Sequence, residues 1–172
     1  MSAPGRPKGE YRKAKPEGTP VNEAQRVPPH IARVAAFYET LTRASLAELA
    51  TVYAAQARFV DPFNDVRGHA ALRAVFEHMF DALDAPRFEI VDALGDAGQG
   101  FLTWNFSFRR HAQRATLTIH GASHLRFDAE GRVTLHRDYW DAAHQVYERV
   151  PLLGAVLRGL RRRLGAPAGG AR

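Results

Sequence analysis

Phe101-Leu102-Thr103-Trp104-Asn105-Phe106-Ser107-Phe108-Arg109-Arg110 alternates large apolar and polar side chains at nearly every step. Successive side chains of a strand point to opposite faces, so this is the pattern of a strand with one face buried. Leu102, Trp104, Phe106 and Phe108 share that face, while Thr103, Asn105 and Ser107 occupy the other. Working outward, extended segments are expected at 87–94, 116–127 and 133–141 as well. Asp128-Ala129-Glu130-Gly131 joins the last two as a hairpin turn, its glycine suited to a left-handed position.

Upstream the period becomes helical. Ile31, Val34, Ala35, Tyr38 and Leu41 place an amphipathic helix over 31–42. Ser45 and Glu48 have capping-box spacing, and Leu46, Leu49, Ala50 and Tyr53 form the stripe of a second helix. Residues 56–60 read as a short extended segment that ends at Asp61-Pro62, since proline disfavours helix at the residue before it. A turn-like Asn64-Asp65-Val66-Arg67-Gly68 then leads to a third helix bearing Leu72, Val75, Phe76, Met79, Phe80 and Leu83. Three helices followed by an antiparallel meander make an α+β domain, with the helices on one face of a curved sheet.

Charge is unevenly placed along the 172 residues. The net charge is +6, yet residues 31–148 carry twelve basic and fifteen acidic side chains, a net of −3. The basic excess sits in the proline-rich leader, 1–29, expected to be disordered, and in the C-terminal segment. A nucleic-acid-binding fold shows a basic stripe on the folded surface, so no nucleic-acid partner is expected. The absence of cysteine excludes disulfides and a thiol nucleophile. With no secretory signal and no bilayer-length apolar run, the reading is cytoplasmic.

Two stretches resemble a known superfamily. Ala54-Ala55-Gln56-Ala57-Arg58-Phe59-Val60-Asp61-Pro62, followed by Gly68 and a helix, is similar to the front of SnoaL-like and ketosteroid-isomerase-like domains. His124-Leu125-Arg126-Phe127-Asp128-Ala129-Glu130-Gly131-Arg132-Val133, running into Arg137-Asp138-Tyr139-Trp140, resembles their terminal hairpin. The resemblance implies the nuclear-transport-factor-2-like cone, a curved antiparallel sheet and three helices enclosing one pocket, over a domain spanning 30–148. It also implies a homodimer formed through the outer sheet face.

Family chemistry carries over in part. In isomerase-like relatives a carboxylate matching Asp61 is the base, helped by a tyrosine and a second acid whose positions match Phe37 and Ser123. Tyr38, beside Phe37, lies about 100° around the helix. In limonene-epoxide-hydrolase-like relatives an aspartate matching Asp138 activates water, but the accompanying Arg/Asp pair falls at Trp104 and Phe106. The resemblance places Asp61, His136 and Asp138 in a cavity walled by Trp104, Phe106, Phe108, Ile119, Phe76 and Trp140, with Tyr38 and Ser123 at its edge.

Such a cluster supports general acid–base catalysis, with Asp61 or Asp138 as base and His136 as proton partner. The alternative is a buried Asp–His bond that ties sheet to helix, and an Asp61 that caps its own turn. His120 and His124 are about 13 Å apart along a strand, too far to share an ion, so no metal site is expected, and no cofactor. In 149–164, Leu153, Val156, Leu157, Leu160 and Leu164 form a stripe flanked by arginines. This amphipathic helix is expected to pack on the domain's own sheet or on a second subunit, or to dock on a membrane surface; 165–172 is expected to be a loose tail. The leading expectation is a cofactor-independent enzyme acting on a small apolar, oxygenated molecule. The competing ones are a ligand-binding accessory protein and a membrane-associated scaffold.

Overall fold

In the computed structural model the chain is described over residues 27–110 and 115–142. The expected leader up to residue 26, the C-terminal helix at 149–164 and the tail at 165–172 lie outside the described residues.

Helix α1 (Pro29–Glu39) begins with proline in its first turn, where a missing N–H costs nothing, and buries Ile31, Val34, Phe37 and Tyr38. The second expected helix is shorter and ends earlier. A 3₁₀ turn, Ala44–Glu48, runs into one turn of α2 (Leu49–Val52). Its cap is also one turn upstream of the expected Ser45/Glu48 box. The Thr42 N–H donates to Ser45 Oγ at 2.9 Å, and the Ser45 N–H to Thr42 Oγ1 at 3.1 Å. Leu46 and Leu49 are buried as the stripe requires, whereas Ala50 is exposed. Tyr53 leaves the stripe and opens the first strand, because its extended backbone pairs with Val133.

Strand β1 (Tyr53–Val60) turns through Asp61-Pro62 into β2 (Asp65–Arg67), a short antiparallel partner where a turn was expected. The Arg58 guanidinium grips Asp65 across that pair. Helix α3 (Gly68–Ala82) lays Leu72 and Phe76 on the sheet. Strands β3 (Leu83–Gly95), β4 (Gln99–Arg110), β5 (Leu117–Phe127) and β6 (Val133–Trp140) follow as an antiparallel meander. β3 starts four residues before the expected 87, through a register shift between Asp84 and Arg87 in which Ala85 takes a φ of 49°. In the β5–β6 hairpin Gly131 has the left-handed φ of 71° that its turn requires.

The sheet order is β2-β1-β6-β5-β4-β3. One pairing departs from the expected all-antiparallel sheet: β1 runs parallel to β6. The chain crosses from β1 to the far edge by way of α3 and then meanders back, so its last strand arrives beside the first in the same direction. The helices cover one face, and the core of Tyr53, Ile31, Leu46, Leu49, Leu72, Leu102, Leu125 and Val133 lies between the layers.

Candidate functional site

A cavity of about 600 Å³ opens between α3 and the inward face of the sheet. Its walls include Tyr38, Phe76, Trp104, Phe106, Phe108, Ile119 and Trp140, together with Asp61 and Asp138. Two of the expected residues, Ser123 and His136, lie behind the wall instead, 2% and 1% exposed. Phe59, Phe63, Asn64, Val66, Val75, His78, Met79, Phe88 and Arg110 also line it and were missed. Arg110 had a signal, since it continues the alternation of Trp104, Phe106 and Phe108.

Asp61 sits at the cavity's rim, tied into its own turn. Its Oδ1 accepts the Phe63 N–H at 2.7 Å and the Asn64 N–H at 2.6 Å, and both its oxygens accept Asn64 Nδ2 at 3.0 Å. This is the Asx-turn geometry that proline at 62 favours. It holds β1 to β2 and leaves few acceptor sites for a ligand.

Asp138 stands differently. Its Oδ1 accepts the Ser123 hydroxyl at 2.6 Å and lies 2.8 Å from His136 Nε2, while no described residue bonds its Oδ2. The Trp104 indole N–H donates to Ser123 Oγ at 2.9 Å. Trp104 can come this close only because residue 121 is glycine: a Cβ there would stand 2.3 Å from the indole ring. On the other side of the imidazole, Nδ1 lies 2.8 Å from the Tyr53 hydroxyl, which is 2.7 Å from that of Tyr38.

These contacts form one continuous chain, and its ends dictate the proton positions. With Asp138 Oδ1 as the acceptor, His136 donates from Nε2 and Nδ1 is left to accept. Tyr53 then donates to Nδ1 and Tyr38 donates to Tyr53. Each member except the two terminal groups is satisfied inside the protein, and both terminal groups, Asp138 and Tyr38, face the cavity. Tyr53 stacks on the imidazole at 6.1 Å, and Phe59 and Tyr38 pack against its other sides. Burial raises the Tyr38 hydroxyl pKa well above its ordinary value, with the neighbouring Tyr53 and the charge of Asp138 adding to the shift. Burial likewise raises that of Tyr53. Both remain neutral phenols, able to donate, throughout the physiological range.

The tyrosine at the site is thus Tyr38, not the position of Phe37, which is buried in the core beside it. His120 and His124 lie on the outer sheet face; His120 bonds Asn105 and His124 stacks on Phe101. Among the described residues no group of three or more His, Asp or Glu could hold a metal ion.

A family model for a SnoaL-like domain matches residues 34–136. No curated protein matches the sequence. Among solved structures, a protein from Catenulispora acidiphila with a ketosteroid isomerase-like fold, in complex with trimethylamine, is 15% identical with a TM-score of 0.60, over 70% of this chain and 92% of that one. A protein assigned as a SnoaL-like polyketide cyclase from Shewanella putrefaciens is 18% identical with a TM-score of 0.59, over 70% and 98%. An epoxide hydrolase of M. tuberculosis, like limonene epoxide hydrolase, is 18% identical with a TM-score of 0.57, over 76% and 91%. At these identities the likeness is one of fold.

Proposed function

Because this chain belongs to the SnoaL-like domain family, we propose that it is a cofactor-independent acid–base enzyme of isomerase or cyclase type, acting on a small apolar, oxygenated molecule. The observation that carries the reading is the buried hydrogen-bond chain with two cavity-facing ends. Asp138 is the base, through the Oδ2 that no described side chain occupies. Asp61, bound into its turn, shapes the rim.

Asp138 Oδ2 takes the proton from substrate carbon and becomes a carboxylic acid. His136 keeps its proton on Nε2 and goes on donating to Oδ1, while its Nδ1 holds the Tyr53 hydroxyl. Tyr38, on the cavity wall, turns its hydrogen from Tyr53 to an oxygen of the substrate. Negative charge developing on that oxygen thus meets a donor when the carbon loses its proton.

The test is solvent-deuterium exchange at the carbon next to the carbonyl of a cavity-sized ketone, 2-tetralone, followed by NMR. Wild-type protein is expected to accelerate exchange over buffer, Asp138→Asn to lose about 10²-fold or more of that acceleration, and Tyr38→Phe about tenfold. Asp61→Asn is expected to retain most of it. Exchange by Asp138→Asn at the wild-type rate would overturn the assignment. No acceleration by wild type would favour the second reading, a ligand-binding protein. That reading draws support from Trp104 and Phe106 standing where epoxide-opening relatives carry an Arg/Asp pair.

Leu94, Phe101 and Tyr139, 60%, 42% and 56% exposed, support pairing of two copies through the outer sheet face. Sedimentation equilibrium of wild type and Phe101→Asp reads this out as dimer against monomer. As for membranes, no helix among the described residues is long and apolar enough to cross one.

A further inference from the structure

The inward face of β4 carries Leu102, Trp104, Phe106 and Phe108 in turn, and its next inward position is Arg110. A cation at the end of an apolar stripe needs a counter-charge. Among the described residues Arg110 has no ion pair and no aromatic ring beneath it, although its side chain lines the cavity. Its strand neighbour Arg109 is exposed. Across the cavity α3 adds the exposed His78, which no described residue bonds. Among the described residues the lining acids are Asp61, in the turn before Phe63, and Asp138, whose strand partner Ser123 pairs with Leu102, eight residues from Arg110 on β4.

The cavity is therefore polar at two separated places and apolar between them. From Trp104, which bonds the Ser123 that holds Asp138, to Arg110 is six residues of strand, about 20 Å. We propose that Arg110, with His78, is an anion subsite, and that the ligand is an amphiphilic acid. Its carboxylate lies on Arg110, its apolar body spans Phe106, Phe108 and Met79, and its reacting carbon lies near Asp138. The two aspartates repel the carboxylate from the opposite end and so set the ligand's direction. The proposal deepens the acid–base reading and rests on it for the position of the reacting end.

Trp104 and Trp140 both line the cavity and report occupancy by fluorescence. The full chain is titrated at pH 8 with dodecanoate and with dodecan-1-ol, both below their aggregation limits. Dodecanoate is expected to bind about tenfold more tightly or better. Arg110→Gln is expected to bring the acid to the affinity of the alcohol without changing the latter, which also shows the variant folded. Arg110→Lys, retaining charge, keeps a preference should the glutamine variant misfold. Equal affinities in wild type, or a preference unchanged in Arg110→Gln, overturns the proposal. Measuring the same preference in Asp138→Asn separates the two readings. A preference that persists while wild type fails to exchange deuterium defeats the catalysis alone; exchange without a preference defeats the subsite alone.

Discussion

Replacing His136 by phenylalanine tests the buried chain most directly. The imidazole is 1% exposed and flanked by Tyr53, Phe59 and Tyr38, so a phenyl ring keeps the volume and the aromatic packing while deleting both ring nitrogens. Two kinds of loss follow. The bond to the Asp138 carboxylate is charge-assisted, worth about 1.5–3 kcal/mol. The bond from the buried Tyr53 hydroxyl is worth about 1 kcal/mol, and a hydroxyl left without an acceptor costs about 1–3 kcal/mol. Asp138 keeps its Ser123 partner and 14% of its side-chain surface, so water recovers part of the first term. The expected total is about 3 kcal/mol, or roughly 10 °C in Tm for a domain of this size. Urea unfolding followed by circular dichroism measures it. Adding Tyr53→Phe removes the orphaned hydroxyl, so the double variant should be about 1–2 kcal/mol more stable than the sum of the singles implies. A loss below about 1 kcal/mol for His136→Phe, or strict additivity in the double variant, would refute the reasoning.

Other outcomes follow from single positions. Gly121→Ala drives a Cβ into the Trp104 ring, so a loss of about 1–3 kcal/mol is expected together with a changed near-UV tryptophan signal; an unchanged signal would mean that the indole does not rest on residue 121. Ala85→Gly relieves a left-handed φ of 49° and should stabilise by up to about 1 kcal/mol in urea, whereas destabilisation would show that the methyl group packs. Tyr38 and Tyr53, held neutral in the folded state, contribute stability that is intact below their ordinary pKa near 10 and lost as pH rises beyond it. Between pH 9 and 11 the two together should remove about 2–3 kcal/mol, and Tyr38→Phe/Tyr53→Phe should flatten that slope in pH-dependent melts.

The alternation across 101–110 and the helical spacing of Ile31, Val34 and Tyr38 carry the α+β layout, and both survive in the structure. Sequence periodicity misleads where short-range signals are interrupted. Tyr53 fits the stripe of Leu46 and Leu49, but its register on β6 shifts before Arg58, so β1 shows no clean period of two. The parallel β1–β6 pairing joins residues about eighty positions apart and leaves no local trace. At the site, walls with aromatic side chains on regular strands were legible, as was the shared face of His136, Asp138 and Trp140. Phe63, Asn64 and Val66, brought in by a turn, and the depth of Ser123 and His136 depend on how the sheet curves, which periodicity does not encode.

The parallel contact between the first and last described strands also bears on the order of folding. β1 and β2 form a two-stranded ribbon, too small to be stable alone, and β6 joins that ribbon to the meander. On a ribosome emitting the chain from its N-terminus, β1 waits for residues 133–140 before it has a sheet to enter. Until then Tyr38, Tyr53 and Phe59 have no imidazole to pack against. Closing so long a loop is entropically slow, so the same strand that brings Asp138 to the cavity also sets the pace at which the protein becomes a single body.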